Sequence, residues 1–202
     1  KRDFKKLVKN ATQLIDNVYL SGQLAVAGER PGIRGLLFHT VFRNSTEIAL
    51  NHVYPQQSLT IDNYRTIFTY FLEYGYSFLS YSDLNDKLDA NGKYVYVTFD
   101  DGYSNNMQIL PLLEELNIPM HLFVTTKNII NNEKYWWDIV YQRRMANGTS
   151  RASVERELLS LKKKKPEDIR KYITTTFGAT AFRPLSDIDR PLSPEELRIV
   201  SK

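Results

Sequence analysis

No cysteine occurs among the 202 residues, which excludes a disulfide framework and any thiolate metal site. Histidine is nearly as scarce: His39, His52 and His121 are the full set, and no two stand three or four residues apart. A helical pair of imidazoles for a metal is therefore missing. No apolar stretch approaches 18 residues, so no transmembrane helix is expected, and the opening KRDFKKLVKN lacks the apolar segment of a signal peptide. These absences leave the compartment open, with the cytoplasm as the default.

What is present fits one core of fair size. The chain is 42% hydrophobic and 25% charged, ordinary for a folded domain of this length. A net charge of +4 and a pI near 9.1 raise the question of an acidic partner, which distribution answers better than the sum. Basic residues gather at Lys1, Arg2, Lys5, Lys6 and Lys9 and again at Lys162 to Lys165, both on amphipathic helical patterns that read as solvated faces. No nucleic-acid motif accompanies them.

Leu7, Leu14 and Val18 have helical spacing and predict an N-terminal helical extension over residues 1–30, followed by a main domain over 31–202. GIRGLLFHTVF carries Leu36, Leu37 and Phe38 in one run, which predicts a strand buried on both faces. Thr60 can cap a helix whose Tyr64, Ile67, Phe68, Phe71 and Leu72 recur at three and four, stopped by Gly75. A strand over Tyr76 to Leu79, a short helix over Ser82 to Leu88 and a turn at Asn91-Gly92 come next. The strand Tyr94 to Phe99, a helix from Asn105 to Leu116 and a buried strand in IPMHLFVTT complete an alternating pattern. That order predicts an α/β fold with a mostly parallel sheet, either open or closed into a barrel. Beyond Tyr135, three short helices are predicted, two of them ended by Gly148 and Gly178. LSPEELRIVSK then opens a fourth, with Ser193 as N-cap, Pro194 at the first helical position and Glu196 completing a capping box. A helix that begins where the text stops leads us to expect a sequence incomplete at its C-terminus.

The chemistry concentrates in YVYVTFDDGYSNN, where a strand ends in Asp100 and Asp101 followed by Gly102. Adjacent carboxylates repel, and ligands of α/β sheets gather at the carboxyl ends of strands. Gly102 can take a positive φ and so let both carboxylates face one cleft. Such a pair can share a proton for acid-base work, or a cation can neutralise it. A plain turn that caps the following helix is the rival reading.

Thr98-Phe99-Asp100-Asp101-Gly102 resembles the first motif of the NodB-homology polysaccharide deacetylases, carbohydrate esterase family four. GLLFHTVF is similar to the strand that opens many members, and MHLFVTT followed by KYWWDIV resembles the strand and double-aromatic helix of members tied to bacterial surface polysaccharides. The resemblance keeps family order over roughly residues 33 to 200. It implies a distorted (β/α) barrel, here with a helical insertion near 135–180, that removes N-acetyl or O-acetyl groups from sugars with a divalent metal, zinc being the expected one. Asp100 would be the general base and Asp101 the metal ligand.

A free carboxylate faces water across about 12 pKa units, roughly 16 kcal/mol, whereas metal-bound water near pKa 7 narrows the gap to about 3 units, roughly 4 kcal/mol. The resemblance also implies a second motif, H-x-x-x-H, after the LSPEELRIVSK helix, but the text ends at Lys202. This chain alone is therefore expected to bind little metal and to be inactive. His39, at the end of the first strand, and Tyr103, beside the motif, are candidate substrate-binding residues or site neighbours. His52 reads as solvated and His121 as a strand residue of the core or an edge. Trp136 and Trp137 could form a sugar platform, but adjacent helical residues diverge by about 100°, so both rings are not expected to face one ligand. Arg143 and Arg144 are expected in solvent. The expected partner is a carbohydrate rather than a nucleic acid or membrane span, and an incomplete barrel would invite self-association through its uncovered edge. A non-catalytic carbohydrate-binding or assembly protein on the same fold is the alternative.

Overall fold

A computed structural model describes residues 30–201, so the predicted N-terminal helix lies outside the described residues. The chain runs through β1 (Gly32–Phe38), α1 (Ser45–Ala49), α2 (Ile61–Glu73), β2 (Ser77–Phe78), β3 (Lys93–Phe99), α3 (Leu110–Glu115), β4 (His121–Leu122) and α4 (Thr126–Asn131). Then come α5 (Trp136–Ala146), α6 (Arg151–Leu161), α7 (Pro166–Phe177) and α8 (Pro194–Val200).

All described strand pairs are parallel, and β3 is the hub. β1 pairs along its full length from Gly32↔Lys93 to Phe38↔Phe99, while β2 and β4 share the other side of β3, at its beginning and its end. Four parallel strands and covering helices give the α/β fold expected; closure into a barrel is not shown. Strands β2 and β4 are only two residues long, shorter than the apolar runs suggested. Ser82 to Leu88 forms a single 3₁₀ turn at Asp83–Asn85, and the predicted helix from Asn105 splits into a 3₁₀ segment, Ser104–Ile109, and α3.

Phe38, Val95, Val97 and Phe99 point to one face of the sheet and pack on Tyr64 and Phe68 of α2 and Leu112 and Leu113 of α3. The opposite face is only partly covered, with Tyr94, Tyr96 and Thr98 of β3 half-buried. Ile33 and Leu37 of β1 are each about half exposed, which corrects the expectation of a strand buried on both faces: the apolar run alternates after all. α2 begins at a Thr60–Asn63 capping box and stops at Gly75, whose φ of 74° few side chains tolerate. α8 carries the predicted Ser193–Glu196 capping box.

A second core belongs to the helical insertion, where Ile139, Val140, Val154, Leu158, Leu161, Ile169 and Ile173 join α5, α6 and α7. Arg144 is half-buried, its guanidinium donating to Glu157 (2.9 Å) and Tyr172 (3.1 Å) and lying over Phe177, so it is not the solvent residue expected; Arg143 is exposed. Three side chains meeting one planar fork hold α5, α6 and α7 together better than a solvated arginine could.

The insertion is tied to the chain before α8 by a buried ion pair. Lys134 Nζ lies 2.9 Å from Asp189 Oδ2, with both side chains essentially inaccessible. The ammonium also donates to Gln142 Oε1 at 2.6 Å, and Asp189 accepts the backbone N–H groups of Leu185 and Ser186. With its partners satisfied the pair persists, but removing one side strands a buried charge. Lys134→Met should therefore cost about 3–5 kcal/mol, read as a lower urea midpoint at unchanged slope.

Candidate active site

The carboxylate pair sits where β3 leaves the sheet. Asp100 N–H donates to Phe38 O at 2.8 Å, continuing the β1 ladder one residue past the strand. At Asp101 the backbone turns to φ 75°, and at Gly102 to φ 80°. The sequence pointed to Gly102 for the positive φ; the aspartate before it shares the bend. A Cβ on Gly102 would stand 2.9 Å from Val124 Cγ1, so glycine is required there on two counts. The strain at Asp101 is offset by its carbonyl, which accepts from Thr125 N–H (3.1 Å), Thr125 Oγ1 (3.0 Å) and Tyr135 Oη (2.8 Å).

The bend aims Asp101 into a cavity of about 560 Å³ between the sheet's carboxyl end and the insertion. His39, Tyr54 and Gln56 line it from the β1 side, Trp136 and Trp137 from the start of α5, and Glu155, Leu158, Leu159 and Lys162 from α6 and its end. Asp101 and His39 are thus brought together, whereas Asp100 is half-buried beside the cavity and outside its lining. Burial raises the Asp101 pKa, and Asp100 adds to the rise; the nearby His39 and Lys162 pull it back. His39 is held through its backbone, its carbonyl accepting Asn106 Nδ2 at 2.9 Å, while its buried Nδ1 has no hydrogen-bond partner.

Tyr103 takes a different position. It is fully buried, receives Trp137 Nε1–H at 2.7 Å and donates to Asp138 Oδ2 at 2.8 Å. Asp138 Oδ1 accepts the N–H of Tyr54 at 2.7 Å, so one buried carboxyl supports two walls of the cavity, Tyr54 directly and Trp137 through Tyr103. Periodicity gave no hint of this role, because Asp138 lies in the first turn of a helix, where an acidic residue needs no further reason.

Both tryptophans line the cavity, and both also pack against the core of the insertion, with Trp137 reaching the Tyr103–Tyr135 cluster. They occupy the first two positions of α5, where the cavity wraps the helix start, and their rings meet edge to face at 5.5 Å. His121 stands apart, stacked on Tyr96 at 4.1 Å on the other sheet face, and His52 is half-buried with Nδ1 3.0 Å from Ser186 Oγ rather than solvated. Lys162, read from sequence as part of a solvated face, is exposed yet reaches the cavity.

For a metal ion the cavity offers the Asp101 carboxylate and the His39 imidazole. Among the described residues no group of three or more His, Asp or Glu side chains could hold a metal ion. Two donors fall short of the three protein ligands of a zinc site, so the described residues do not by themselves fit one. Nor, among these residues, is any helix long and apolar enough to cross a membrane.

Residues 87–178 match the family model described as polysaccharide deacetylase. The Thr98–Gly102 turn and all of α5, α6 and α7 fall inside that match; His39 and α8 fall outside it. Similar solved structures include a de-N-acetylase from Aggregatibacter actinomycetemcomitans, 19% identical with a TM-score of 0.38 over 48% of this chain and 38% of that one. A Bacillus anthracis protein described as a polysaccharide deacetylase is 21% identical, TM-score 0.35, over 56% of this chain and 36% of that one. The Streptococcus pyogenes deacetylase PplD, in complex with acetate, is 16% identical, TM-score 0.41, over 86% and 80%. The chain spans little more than a third of the first two. No curated protein matches it.

Burial drives the Asp138 pKa up to about 8, against the pull of the Tyr54 and Tyr103 hydrogen bonds and of Lys134. A carboxyl raised in the folded state holds a proton there that the unfolded chain has released, so its contribution to stability is full below about pH 4 and declines as pH rises toward 8. Stability measured by urea between pH 5 and 7.5 should accordingly fall by up to about 1.4 kcal/mol per pH unit, and Asp138→Asn should flatten that slope.

Proposed function

We propose that this chain supplies the aspartate side of a carbohydrate deacetylase site, hydrolysing an acetyl group from an N-acetylated or O-acetylated sugar or surface polysaccharide. The observation that carries the reading is the Thr98–Gly102 turn: it lies inside the polysaccharide deacetylase match and aims Asp101 into a cavity walled by aromatic rings. Trp136, Trp137 and Tyr54 offer flat faces on which a pyranose can stack, with Gln56 and Glu155 positioned for its hydroxyls.

In this proposal Asp100 is the general base. Its partly exposed carboxylate takes the proton of the water that attacks the acetyl carbon, while the acid that protonates the leaving amine or alcohol is, in the family, a histidine of the later motifs. Asp101, lining the cavity and held by its anchored carbonyl, is the residue that would face a cation, whose proximity would reverse the upward push of burial on its carboxyl. A divalent metal would supply an acidified water and polarise the acetyl oxygen. The further donors it needs are not among the described residues, and in the family they are the two histidines of the second motif. The distorted barrel belongs to the same proposal, the open face bearing Ile33 and Leu37 being the side that closure would cover.

Acetate release from N-acetylated and O-acetylated oligosaccharides by the intact protein, before and after chelation, tests the reading. Asp100→Asn should lower kcat by about 10²–10⁴ with KM and the circular dichroism spectrum little changed. Undiminished turnover in that variant would remove Asp100 from its role. Sugar binding with no acetate release under any metal would favour the non-catalytic alternative.

A further inference from the structure

We infer that the cavity takes an acidic carbohydrate, one that carries a carboxylate or phosphate next to its acetylated sugar, and that Lys162 is the residue that reads this charge. The identification of that carbohydrate as a substrate rests on the deacetylase reading above; the binding does not. Lys162 stands at the end of α6 and lines the cavity together with Asp101 and the aromatic rings. Among the described residues it enters no ion pair, whereas Glu155, the charged residue of α6 that also lines the cavity, is held by Arg151 at 3.0 Å. The cavity therefore presents one ammonium with no salt-bridge partner within 4 Å among the described residues, close enough to the half-buried Asp101 carboxyl to act on it but not paired with it.

The surroundings point the same way. Lys162, Lys163, Lys164 and Lys165 are all exposed and make a run of positive charge on the insertion side, only partly offset by Glu167 and Asp168. A positive rim beside a low-dielectric aromatic wall attracts an anionic polymer and orients it along the cavity. A neutral glycan would use the rings and the hydroxyl partners and leave the ammonium idle. Lysine at a helix end also complements the helix dipole, a structural role that would give no preference among sugars.

Trp136 and Trp137 are the two tryptophans of the chain and both line the cavity, so intrinsic fluorescence reports on it directly. Three probes suffice: a tetrasaccharide alternating N-acetylhexosamine with hexuronate, an N-acetylhexosamine oligomer joined by phosphodiesters, and a neutral N-acetylhexosamine tetrasaccharide. At least one acidic probe should quench at roughly fivefold lower concentration than the neutral one, with the advantage shrinking as salt is raised. Lys162→Ala should erase that advantage and leave the neutral probe unaffected, Lys162→Arg should keep it, and Lys164→Ala, in the run but outside the cavity, should behave as wild type. Which acidic probe wins identifies the anionic group. Equal quenching by acidic and neutral probes, no quenching by any, or an equal effect of Lys164→Ala and Lys162→Ala would overturn the inference. Acetate release from the neutral glycan alone would overturn it while leaving the deacetylase reading in place. Selective quenching without acetate release from any probe would do the reverse.

Discussion

Everything near the site hangs on two consecutive carbonyls, those of Asp101 and Gly102. β3 delivers the chain to the sheet's carboxyl end, and the positive φ at both residues throws it back under the insertion. A non-glycine residue in that region costs about 1–3 kcal/mol, and the cost is met locally. The Asp101 carbonyl collects three donors, from Thr125 and from Tyr135 just before α5, and the Gly102 carbonyl accepts Leu192 N–H at 2.9 Å just before α8. At about 1 kcal/mol net per hydrogen bond, these contacts are of the size needed to hold the bend. The start of the insertion and the approach to the last helix are therefore fastened to the turn that carries the carboxylates.

That fastening explains why so much buried polarity lies behind one cavity. Tyr103, Asp138 and Trp137 form a continuous chain of hydrogen bonds, and the rings of Tyr103, Tyr135 and Trp137 pack within 4.4 to 5.0 Å centroid to centroid. Lys134, adjacent to Tyr135, carries the same cluster to Asp189. An apolar core would tolerate sliding of α5 against the sheet. A network of directional bonds accepts one register, and that register sets where Trp136 and Trp137 meet the cavity.

Sequence reasoning read the local elements well and the partnerships poorly, for a physical reason. The Thr60 cap of α2, the Gly75 stop, the three insertion helices and the Ser193–Glu196 cap are short-range patterns, and the structure has them all. The Asp100-Asp101-Gly102 turn is also local, so it was legible as a candidate site before any fold was known. What escaped were groups whose meaning depends on residues far along the chain: Asp138 facing Tyr54 across 84 positions, Lys134 facing Asp189 across 55, and Lys162 lining one cavity with Asp101. β1 misled because Leu36, Leu37 and Phe38 look alike in sequence, while only its pairing with β3 shows that Leu37 lies on the face opposite Phe38.

The helical insertion contributes as much of the cavity wall at the candidate site as the sheet's carboxyl end does. The sheet alone would present two aspartates and a histidine to open solvent, where a carboxylate pair is well hydrated and has little to organise. α5 and α6 remove much of that solvent, and burial raises the Asp101 carboxyl while Lys162 and His39 oppose the rise. Three effects of comparable kind thus act on one group from three separate segments, the end of β1, the turn after β3 and the end of α6. Burial keeps the upper hand, so a cation entering beside Asp101 would lower its carboxyl pKa and an anion would raise it further.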